Sequence, residues 1–242
     1  MNNWKNKTAI ITGAAGGIGS ALCKKLAGYG MNLVIVGRNA DTLKKTEEMI
    51  QENGGHASIC LGDLEENDFS EKIVKHALDT FGGIDVLINN AGLSHRCTVD
   101  EMTEDLFDQI MKVNVRAPYF LTQKALPELR KSDMATIINI CSVVAHKGYP
   151  MQSVYAASKH ALLGWSKSLA NEVYKDNIRV HTISPGGVYT DIIALVRPEL
   201  SPEGMILAED IADIAGFYLE RRHTNAVIDE IEVHRVTKEP FA

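Results

Sequence analysis

Short aliphatic runs alternate with longer amphipathic stretches along most of the chain. The runs have the length of buried strands and are bounded by turn residues, whereas the stretches repeat apolar positions at helical spacing. The predicted strands are Thr8–Thr12, Asn32–Val36, His56–Leu61, Val86–Asn89, Thr136–Ile140, Arg179–Ser184 and Ala226–Val233. Strands that alternate with crossover helices form a parallel sheet covered on both faces. We therefore expect an α/β fold with a doubly wound parallel sheet of about seven strands.

The stretches between these runs predict the helices. They begin near Ser20 and continue over Ala40–Asn53, Ser70–Phe81, Glu104–Arg130 and Val154–Lys175. Gly54-Gly55 and Gly82-Gly83 follow two of them, and glycine accepts the positive φ that often ends a helix. The last two helices are long enough to serve both the core and a subunit contact.

Composition narrows the class of protein. With 242 residues, 45% hydrophobic and 23% charged, the chain is expected to form one folded domain over residues 1–242. Its net charge of -6, without a dense cluster of Lys and Arg, favours neither a nucleic acid nor an anionic membrane as partner. The first seven residues lack an apolar signal core and no later run has the length of a bilayer span, so we expect a cytoplasmic protein.

The four cysteines, Cys23, Cys60, Cys97 and Cys141, are widely separated and include no C-x-x-C pair. This spacing suggests neither a zinc site nor a disulfide framework, and reduced, mostly buried thiols are expected. No histidine has the spacing of a metal ligand set, so no metal is expected.

The first predicted strand ends in a glycine-rich turn, Thr12-Gly13-Ala14-Ala15-Gly16-Gly17-Ile18-Gly19, and a helix follows. Glycines let the backbone turn sharply and approach a pyrophosphate, whose charge is met by amides and by the positive end of the helix. Glycines also simply permit tight turns. The position between a strand and a helix favours a dinucleotide site.

The end of the second predicted strand bears on the choice of cofactor. An acidic residue there would bind a free ribose 2′-hydroxyl and repel a 2′-phosphate, but Leu33–Val36 is followed by Gly37 and Arg38. A guanidinium suits a phosphate, so NADP(H) is preferred and NAD(H) remains possible. The alternative is a solvated loop arginine, and Ala15 supplies no second basic group.

Tyr155 and Lys159 are four residues apart, which places them on one face of a helix. An ammonium close to a phenol favours the phenolate, because opposite charges attract strongly at short range in a partly buried site. This pair is therefore the predicted reactive centre.

Together these motifs resemble the short-chain dehydrogenase/reductase family, in its single-domain branch that includes NADP-dependent 3-oxoacyl reductases. The resemblance spans almost the whole chain. It depends on the glycine turn, Asp63, Asn89-Asn90-Ala91-Gly92, Asn114, Ser142, Tyr155 with Lys159, and Pro185-Gly186 followed by Thr190. It implies a Rossmann fold and an oxidoreductase that moves a hydride between a nicotinamide and a carbonyl or secondary alcohol.

The resemblance also implies a role for each catalytic residue. Tyr155 is expected to act as general acid or base, Ser142 to hydrogen-bond the substrate oxygen, and Lys159 to bind the nicotinamide ribose. Asn114 is expected to hold a water that connects Lys159 to solvent. Each of the supporting residues also has a structural alternative: Asn114 as a bridge between helices, Ser142 as the cap of a turn and Asp63 as a helix cap.

The predicted cofactor contacts follow the ends of the strands. Asp63 and Leu64 are expected at the adenine, Asn90 to Gly92 at the adenosine ribose, and Val188 and Thr190 at the carboxamide. The complete set is Gly13, Gly17, Ile18, Gly19, Arg38, Asp63, Leu64, Asn90, Ala91, Gly92, Tyr155, Lys159, Pro185, Gly186, Val188 and Thr190.

The substrate is less determined. Its pocket is expected to include His95, Val144, His146, Tyr149, Met151 and Ile192, and the short loop Asp191–Gly204 leaves little room for a large lid. His146 either orients a polar substrate or faces water. The ending Val227–Val233 lacks the Gly-Gly of acyl-carrier-protein ketoreductases and resembles a branch of broadly acting reductases and hydroxy-acid dehydrogenases.

The predicted function is reduction of a small or medium ketone or 3-oxoacyl substrate. An alcohol, hydroxy-acid or steroid-type dehydrogenase and a non-catalytic dinucleotide sensor are the alternatives. The family also implies a homodimer or homotetramer.

Overall fold

The computed structural model describes residues 4–190 and 201–238. Within these ranges seven strands form one parallel sheet, in the order β3-β2-β1-β4-β5-β6-β9. The nine strands are β1 Thr8–Thr12, β2 Asn32–Gly37, β3 His56–Leu61, β4 Val86–Asn89, β5 Thr136–Ile140, β6 Arg179–Pro185, β7 Val188–Tyr189, β8 Ile206–Leu207 and β9 Glu230–Val233. The short strands β7 and β8 pair separately. The predicted doubly wound α/β sheet is confirmed.

The helices cover both faces of this sheet. They are α1 Gly17–Ala27, α2 Ala40–Glu52, α3 Phe69–Phe81, α4 Glu104–Met111, α5 Ala117–Leu129, α6 Ser153–Val173 and α7 Ala208–Glu220. Leu22, Leu43 and Ile211 bring α1, α2 and α7 into the core on one face. The helices α3, α5 and α6 close the other face with a second core.

The central strands form where successive residues are mostly apolar, so that both faces of the strand can be buried. All five residues of β1 and of β5 are buried, as a parallel strand covered by helices requires. Four of the predicted strands agree with the structure at both ends, and the two before glycine or proline are one residue longer. Gly82 ends α3 with a φ of 80°, which confirms the predicted glycine exit.

Three predicted boundaries were wrong. The first helix begins at Gly17 rather than near Ser20, and the second long helix becomes a 3₁₀ turn after Val173. The last strand begins only at Glu230, because the backbone of β6 pairs with residues 230–233. Just before it, the ring of His181 lies 2.7 Å from the carbonyl oxygen of Ile228, and the amide of Thr182 donates to the carbonyl oxygen of Asp229 at 2.8 Å.

The predicted helix over Glu104–Arg130 is divided. A π-helical segment at Lys112–Arg116 separates α4 from α5. A π segment inserts one residue into the helical repeat and so turns the side chains that follow. Here it carries Asn114, which is 1% exposed.

The helix α7 was not predicted. Its signals are present in the sequence: Asp210 accepts a hydrogen bond from the amide of Leu207 at 2.8 Å, and apolar residues follow at helical spacing. It packs against α1 so closely that Gly216 leaves no room for a side chain beside Lys25 and Tyr29.

Two further observations concern the described residues. The four cysteines are buried, as predicted, and carry free thiols. In residues 4–190 and 201–238, no helix has the length and apolarity to cross a bilayer, and no group of three or more His, Cys, Asp or Glu residues is placed to hold a metal.

Candidate active site

The glycine turn after β1 borders a cavity of about 390 Å³ at the carboxyl ends of the strands. Gly13 has a φ of 64°, which favours glycine. A Cβ on Gly17 would lie 2.6 Å from Cγ2 of Thr190, and a Cβ on Gly19 would collide with the carbonyl oxygen of Gly13. These glycines therefore let the turn pack closely on itself and on Thr190, and all three line the cavity.

Asn90 fixes the shape of this turn. Its Nδ2 donates to the carbonyl oxygens of Thr12 at 2.9 Å and Gly13 at 3.1 Å. In return, the Oγ1 of Thr12 accepts from the amides of Asn90 and Ala91, at 3.0 and 3.1 Å. The end of β4 is thus tied to the turn after β1, where the strand order of the sheet reverses and open α/β folds bind ligands.

Arg38 and Asp63 face each other at the outer end of the cavity. The distance from Nη1 of Arg38 to Oδ2 of Asp63 is 3.6 Å, and the Arg38 side chain is 64% exposed. An exposed pair contributes about 0–1 kcal/mol, so Asp63 does not hold the guanidinium away from an incoming phosphate. Asp63 also accepts from the amide of Glu65 at 3.0 Å, which forms a turn within the loop. It does not cap a helix, since α3 begins only at Phe69.

A second cavity of about 240 Å³ contains the predicted reactive centre. Ser142 follows β5, while Tyr155 and Lys159 lie in the first turns of α6, and all three side chains line this cavity. The two cavities share lining residues: Ile18, Asn90, Gly92, Leu93 and Thr190. They are therefore two ends of one continuous cleft.

Lys159 is almost completely buried, with 3% of its surface exposed. Its Nζ donates to the carbonyl oxygen of Ile140 at 2.9 Å and lies 5.9 Å from the centre of the Tyr155 ring. A Cβ on Gly92 would be 3.5 Å from this Nζ, so the glycine leaves the ammonium open toward the cleft. A buried ammonium needs partners of this kind, because leaving water is costly for a charge.

Asn114 lies behind the cleft rather than in its wall. Its Oδ1 accepts from the amide of Leu93 at 2.7 Å, and its Nδ2 donates to the Leu93 carbonyl and to the Ser158 hydroxyl, at 2.8 and 2.9 Å. Ser158 donates in turn to the carbonyl oxygen of Tyr155 at 2.7 Å. Asn114 therefore connects the loop after β4 with the turn of α6 that carries Tyr155.

Ser142 is 8% exposed, and its Oγ accepts from the amide of Val144 at 3.3 Å. The predicted alternative, a cap of the turn Val143–Ala145, is thus realised while the residue also lines the cleft. Next to it, burial raises the pKa of the Cys141 thiol, whose Sγ donates to the carbonyl oxygen of Lys159 at 3.2 Å. The thiol stays protonated and ties β5 to α6.

Every predicted catalytic or cofactor-binding residue except Asn114 lines one of the two cavities. The residues predicted for the substrate pocket that the structure describes line neither: His95, Val144, His146, Tyr149 and Met151. The sequence interpretation omitted Gly16, Gly37, Gly62, Leu93, Val113, Ser94, Ile140 and Cys141, which also line the cavities. Most of these adjoin a predicted residue at the end of a strand, and that position was the available signal. Val113 had none, because the π segment that turns it toward the cleft is not visible in the sequence.

His146 follows neither of its two predicted alternatives, orientation of a polar substrate or exposure to water. Its Nε2 lies 2.7 Å from Oε1 of Glu230 on β9, and its side chain is 24% exposed. Glu230 also accepts from the Ser184 hydroxyl at 3.1 Å. The ring therefore ties the loop after Ser142 to the last strand. Ile192 lies outside the described residues, as does most of the loop Asp191–Gly204.

Comparisons with known proteins agree with this geometry. A family model described as short chain dehydrogenase matches residues 7–201. An uncharacterized oxidoreductase of Thermotoga maritima is 35% identical over 205 residues, 84% of this chain and 81% of its own. The 3-oxoacyl-(acyl-carrier-protein) reductase FabG of Chlamydia trachomatis is 34% identical over 199 residues, 82% of this chain and 80% of its own.

Solved structures show the same fold. A metagenomic short-chain oxidoreductase in complex with NADP superposes with a TM-score of 0.85 at 28% identity, over 98% of this chain and 100% of its own. A short chain dehydrogenase from Mycobacterium paratuberculosis bound to NAD gives 0.84 at 26% identity, over 96% and 97%. The similar structures therefore include both nicotinamide cofactors.

Proposed function

The chain belongs to the short-chain dehydrogenase family, whose members are oxidoreductases of alcohol and carbonyl groups, and from this we propose that it is an NADP(H)-dependent reductase of a small or medium ketone or 3-oxoacyl substrate. The observation that carries the proposal is the continuous cleft. It joins a glycine-lined cavity of about 390 Å³ to one of about 240 Å³ that holds Ser142, Tyr155 and Lys159.

The larger cavity fits the adenosine diphosphate part of a dinucleotide. Gly16, Gly17 and Gly19 line this cavity at the amino end of α1, where phosphate is stabilised. The smaller cavity, with Val188 and Thr190 on its wall, would take the nicotinamide. When bound, the nicotinamide supplies the hydride to a carbonyl carbon or removes one from an alcohol.

The residues of the smaller cavity supply the proton that the reduced carbonyl oxygen takes up and stabilise the charge that is left. Tyr155 gives its hydroxyl proton to the carbonyl oxygen as the carbon is reduced, and Ser142 donates a hydrogen bond to that same oxygen. The Lys159 ammonium, 5.9 Å from the Tyr155 ring, stabilises the phenolate that is left. Asn114 holds Leu93 and, through Ser158, the Tyr155 turn, and its proposed role is to order a water toward Lys159.

The preference for NADP(H) is supported by Arg38. The exposed guanidinium at the rim of the larger cavity is held only by an exposed ion pair with Asp63. A 2′-phosphate brings two negative charges and a bidentate acceptor, which bind a guanidinium more strongly than one carboxylate at 3.6 Å.

A substrate panel tests the function. Purified protein is supplied with NADPH or NADH and with small ketones, 3-oxoacyl thioesters, sugars and steroid ketones, and the reverse reactions are run with NADP⁺. Oxidation of NADPH by at least one ketone is expected. Tight NADPH binding without turnover on any member of either panel would instead favour a dinucleotide sensor.

The chain is also expected to assemble as a homodimer or homotetramer of single-domain subunits. Phe107, Tyr119 and Phe120 expose 43%, 44% and 36% of their surfaces on α4 and α5. Aromatic side chains exposed together favour a subunit contact. Sedimentation at micromolar concentration that shows only a 26.5 kDa species would contradict this expectation.

A further inference from the structure

One carboxylate on the last strand contacts two segments that lead into the wall of the smaller cavity. Oε1 of Glu230 lies 2.7 Å from Nε2 of His146 and accepts from the Ser184 hydroxyl at 3.1 Å. The other oxygen, Oε2, lies 3.5 Å from Nζ of Lys167 on α6. The Glu230 side chain is 20% exposed and that of Lys167 is 62% exposed. Because an exposed ion pair contributes little, His146 and Ser184 are the main partners of the carboxylate.

His146 connects this carboxylate to Ser142. The two residues flank the 3₁₀ turn Val143–Ala145, whose three residues are buried. The amide of His146 donates to the carbonyl oxygen of Val143 at 3.1 Å, and the amide of Ala145 donates to that of Ser142 at 2.9 Å. A short turn that is hydrogen-bonded and closely packed transmits a displacement from one end to the other. A shift of the His146 ring would therefore move Ser142, which lines the smaller cavity.

Ser184 connects the same carboxylate to a second part of the wall. It is completely buried near the end of β6, and Pro185 and Gly186, which follow it, line the smaller cavity. The amide of Gly186 donates to the carbonyl oxygen of Val233 at 2.8 Å. The last strand therefore supports this segment twice, through its backbone at Val233 and through the side chain of Glu230.

We propose that Glu230 is a positioning residue, which holds Ser142 and the Pro185-Gly186 segment in the arrangement that reduction of the ketone requires. This inference rests on the proposed reductase function, since it concerns the geometry of that same reaction. Glu230 itself lines neither cavity, so it acts through His146 and Ser184. A small displacement of a group that contacts the substrate slows a reaction strongly, because the rate depends on close alignment of the reacting groups.

Single-turnover kinetics test the proposal. Protein saturated with NADPH is mixed rapidly with a saturating ketone that the wild type reduces, and the loss of NADPH absorbance gives a rate constant and an amplitude. Glu230→Ala should lower the rate constant about tenfold at unchanged amplitude, while the dissociation constant of NADPH stays within about twofold. Glu230→Gln should recover part of the rate, because its amide oxygen can still accept from His146 and Ser184.

Two further variants make the result specific. His146→Ala should lower the rate constant by a smaller factor, and the double variant should be no slower than Glu230→Ala, because both substitutions break the same contact. Glu172→Ala is the matched control, since Glu172 is an exposed carboxylate of α6 that lines neither cavity, and it should behave like the wild type. A smaller amplitude with an unchanged rate constant in Glu230→Ala would overturn the proposal, because it describes only a loss of folded protein. So would losses that multiply in the double variant.

Hydrogen exchange measures the positioning without turnover. Peptides that contain residues 142–147 and 184–188 should exchange about tenfold faster in Glu230→Ala than in the wild type, whereas exchange at residues 13–19 should be unaffected. If these two segments respond and the wild type reduces no ketone, the proposed reductase function fails and the hold of Glu230 on the two segments stands. If neither segment responds, the positioning fails and any ketone reduction remains valid.

Discussion

The two ends of the cleft are built in different ways. The larger cavity, which we call the cofactor half, is lined mainly by short segments at the ends of β1 to β4, with backbone exposed at the glycines. The smaller cavity, the substrate half, combines the loop after β5, the first turns of α6 and the segment after β6. Behind its wall, Arg235 lies against the backbone of Gly187, and residues 235–238 form a turn.

The difference agrees with what each half is proposed to recognise. A dinucleotide is bound by backbone amides and by the amino end of a helix. A local turn supplies both without contacts from distant residues. A substrate is met by side chains, whose positions depend on the elements behind them. Asn114 illustrates this dependence, because it holds Leu93 and, through Ser158, the Tyr155 turn. Changes in the two halves should therefore have separable effects.

The largest difference between the effect on turnover and the effect on NADPH affinity is expected for Tyr155→Phe. Removing the hydroxyl takes away the proton donor, so kcat should fall by about 10²- to 10⁴-fold. The affinity for NADPH should stay within about twofold, because the cofactor half is untouched. Stopped-flow turnover and fluorescence titration measure the two quantities. A variant that keeps more than about a tenth of the wild-type kcat would show that another group supplies the proton.

Gly19→Ala tests the opposite half. The new Cβ would collide with the Gly13 carbonyl oxygen and lie 2.9 Å from Nδ2 of Asn90. Overpacking costs about 1–3 kcal/mol, so the affinity for NADPH should fall roughly 5- to 150-fold while kcat at saturating NADPH changes little. Gly83→Ala is the control, since a Cβ there has no atom within 4 Å. An unchanged dissociation constant in Gly19→Ala would remove the turn from the binding site.

Arg38→Asp sharpens the comparison within the cofactor half. Repulsion replaces attraction at the 2′-phosphate, so the ratio of kcat/KM for NADPH over NADH should fall by about 10- to 100-fold. Arg38→Lys should lie between the variant and the wild type, because it keeps the charge and loses the planar fork. Steady-state kinetics with both cofactors measure the ratio. If the ratio does not change, the preference for NADP(H) does not come from this residue.

The smallest effect concerns the strand that leads into the substrate half. Burial lowers the pKa of His181 on β6 from 6.5 to about 4, and the ring is stacked on Tyr218. Below pH 6.5 the His181 ring is protonated in the unfolded chain, whereas in the folded chain it stays neutral until about pH 4. The free energy of unfolding therefore falls as the pH falls through this window. Between pH 7 and pH 5 the loss should be about 2 kcal/mol.

Urea unfolding of the wild type and of His181→Asn at both pH values measures this loss, and the variant should lack it. Asparagine can still donate to the carbonyl oxygen of Ile228, which keeps the local bond. Equal pH dependence in both proteins would mean that the acid sensitivity comes from other groups.

The same division explains how much of the molecule can be predicted from the sequence. The strands from β1 to β6 follow from aliphatic runs bounded by turn residues, and the glycine turn follows from its place between a strand and a helix. The pairing of Tyr155 with Lys159 follows from helical spacing alone. Each of these features depends on residues close together in the chain, so the sequence contains the information directly.

Other features were decided by contacts between distant segments. The residues Lys112–Arg116 contain no proline or glycine that would mark a break in the helix, and their π segment becomes understandable only with Asn114 bonded to Leu93, 21 residues earlier. Residues 226–229 have the composition of a strand, yet pairing with β6 begins at Glu230. The helix α7 was predictable from the sequence, because Asp210 can cap its first turn and apolar residues follow at helical spacing, although it was not predicted.

The sequence by itself thus determined the sheet, the glycine turn after its first strand and the neighbouring positions of Tyr155 and Lys159 on one helix. Only the tertiary structure decided what surrounds them: the contact of His146 with Glu230, and Arg235 against the backbone of Gly187. The physical reason is that a repeating pattern fixes which face of an element is buried. It does not fix which distant side chain completes a hydrogen bond or balances a charge, because that depends on how the packed elements meet.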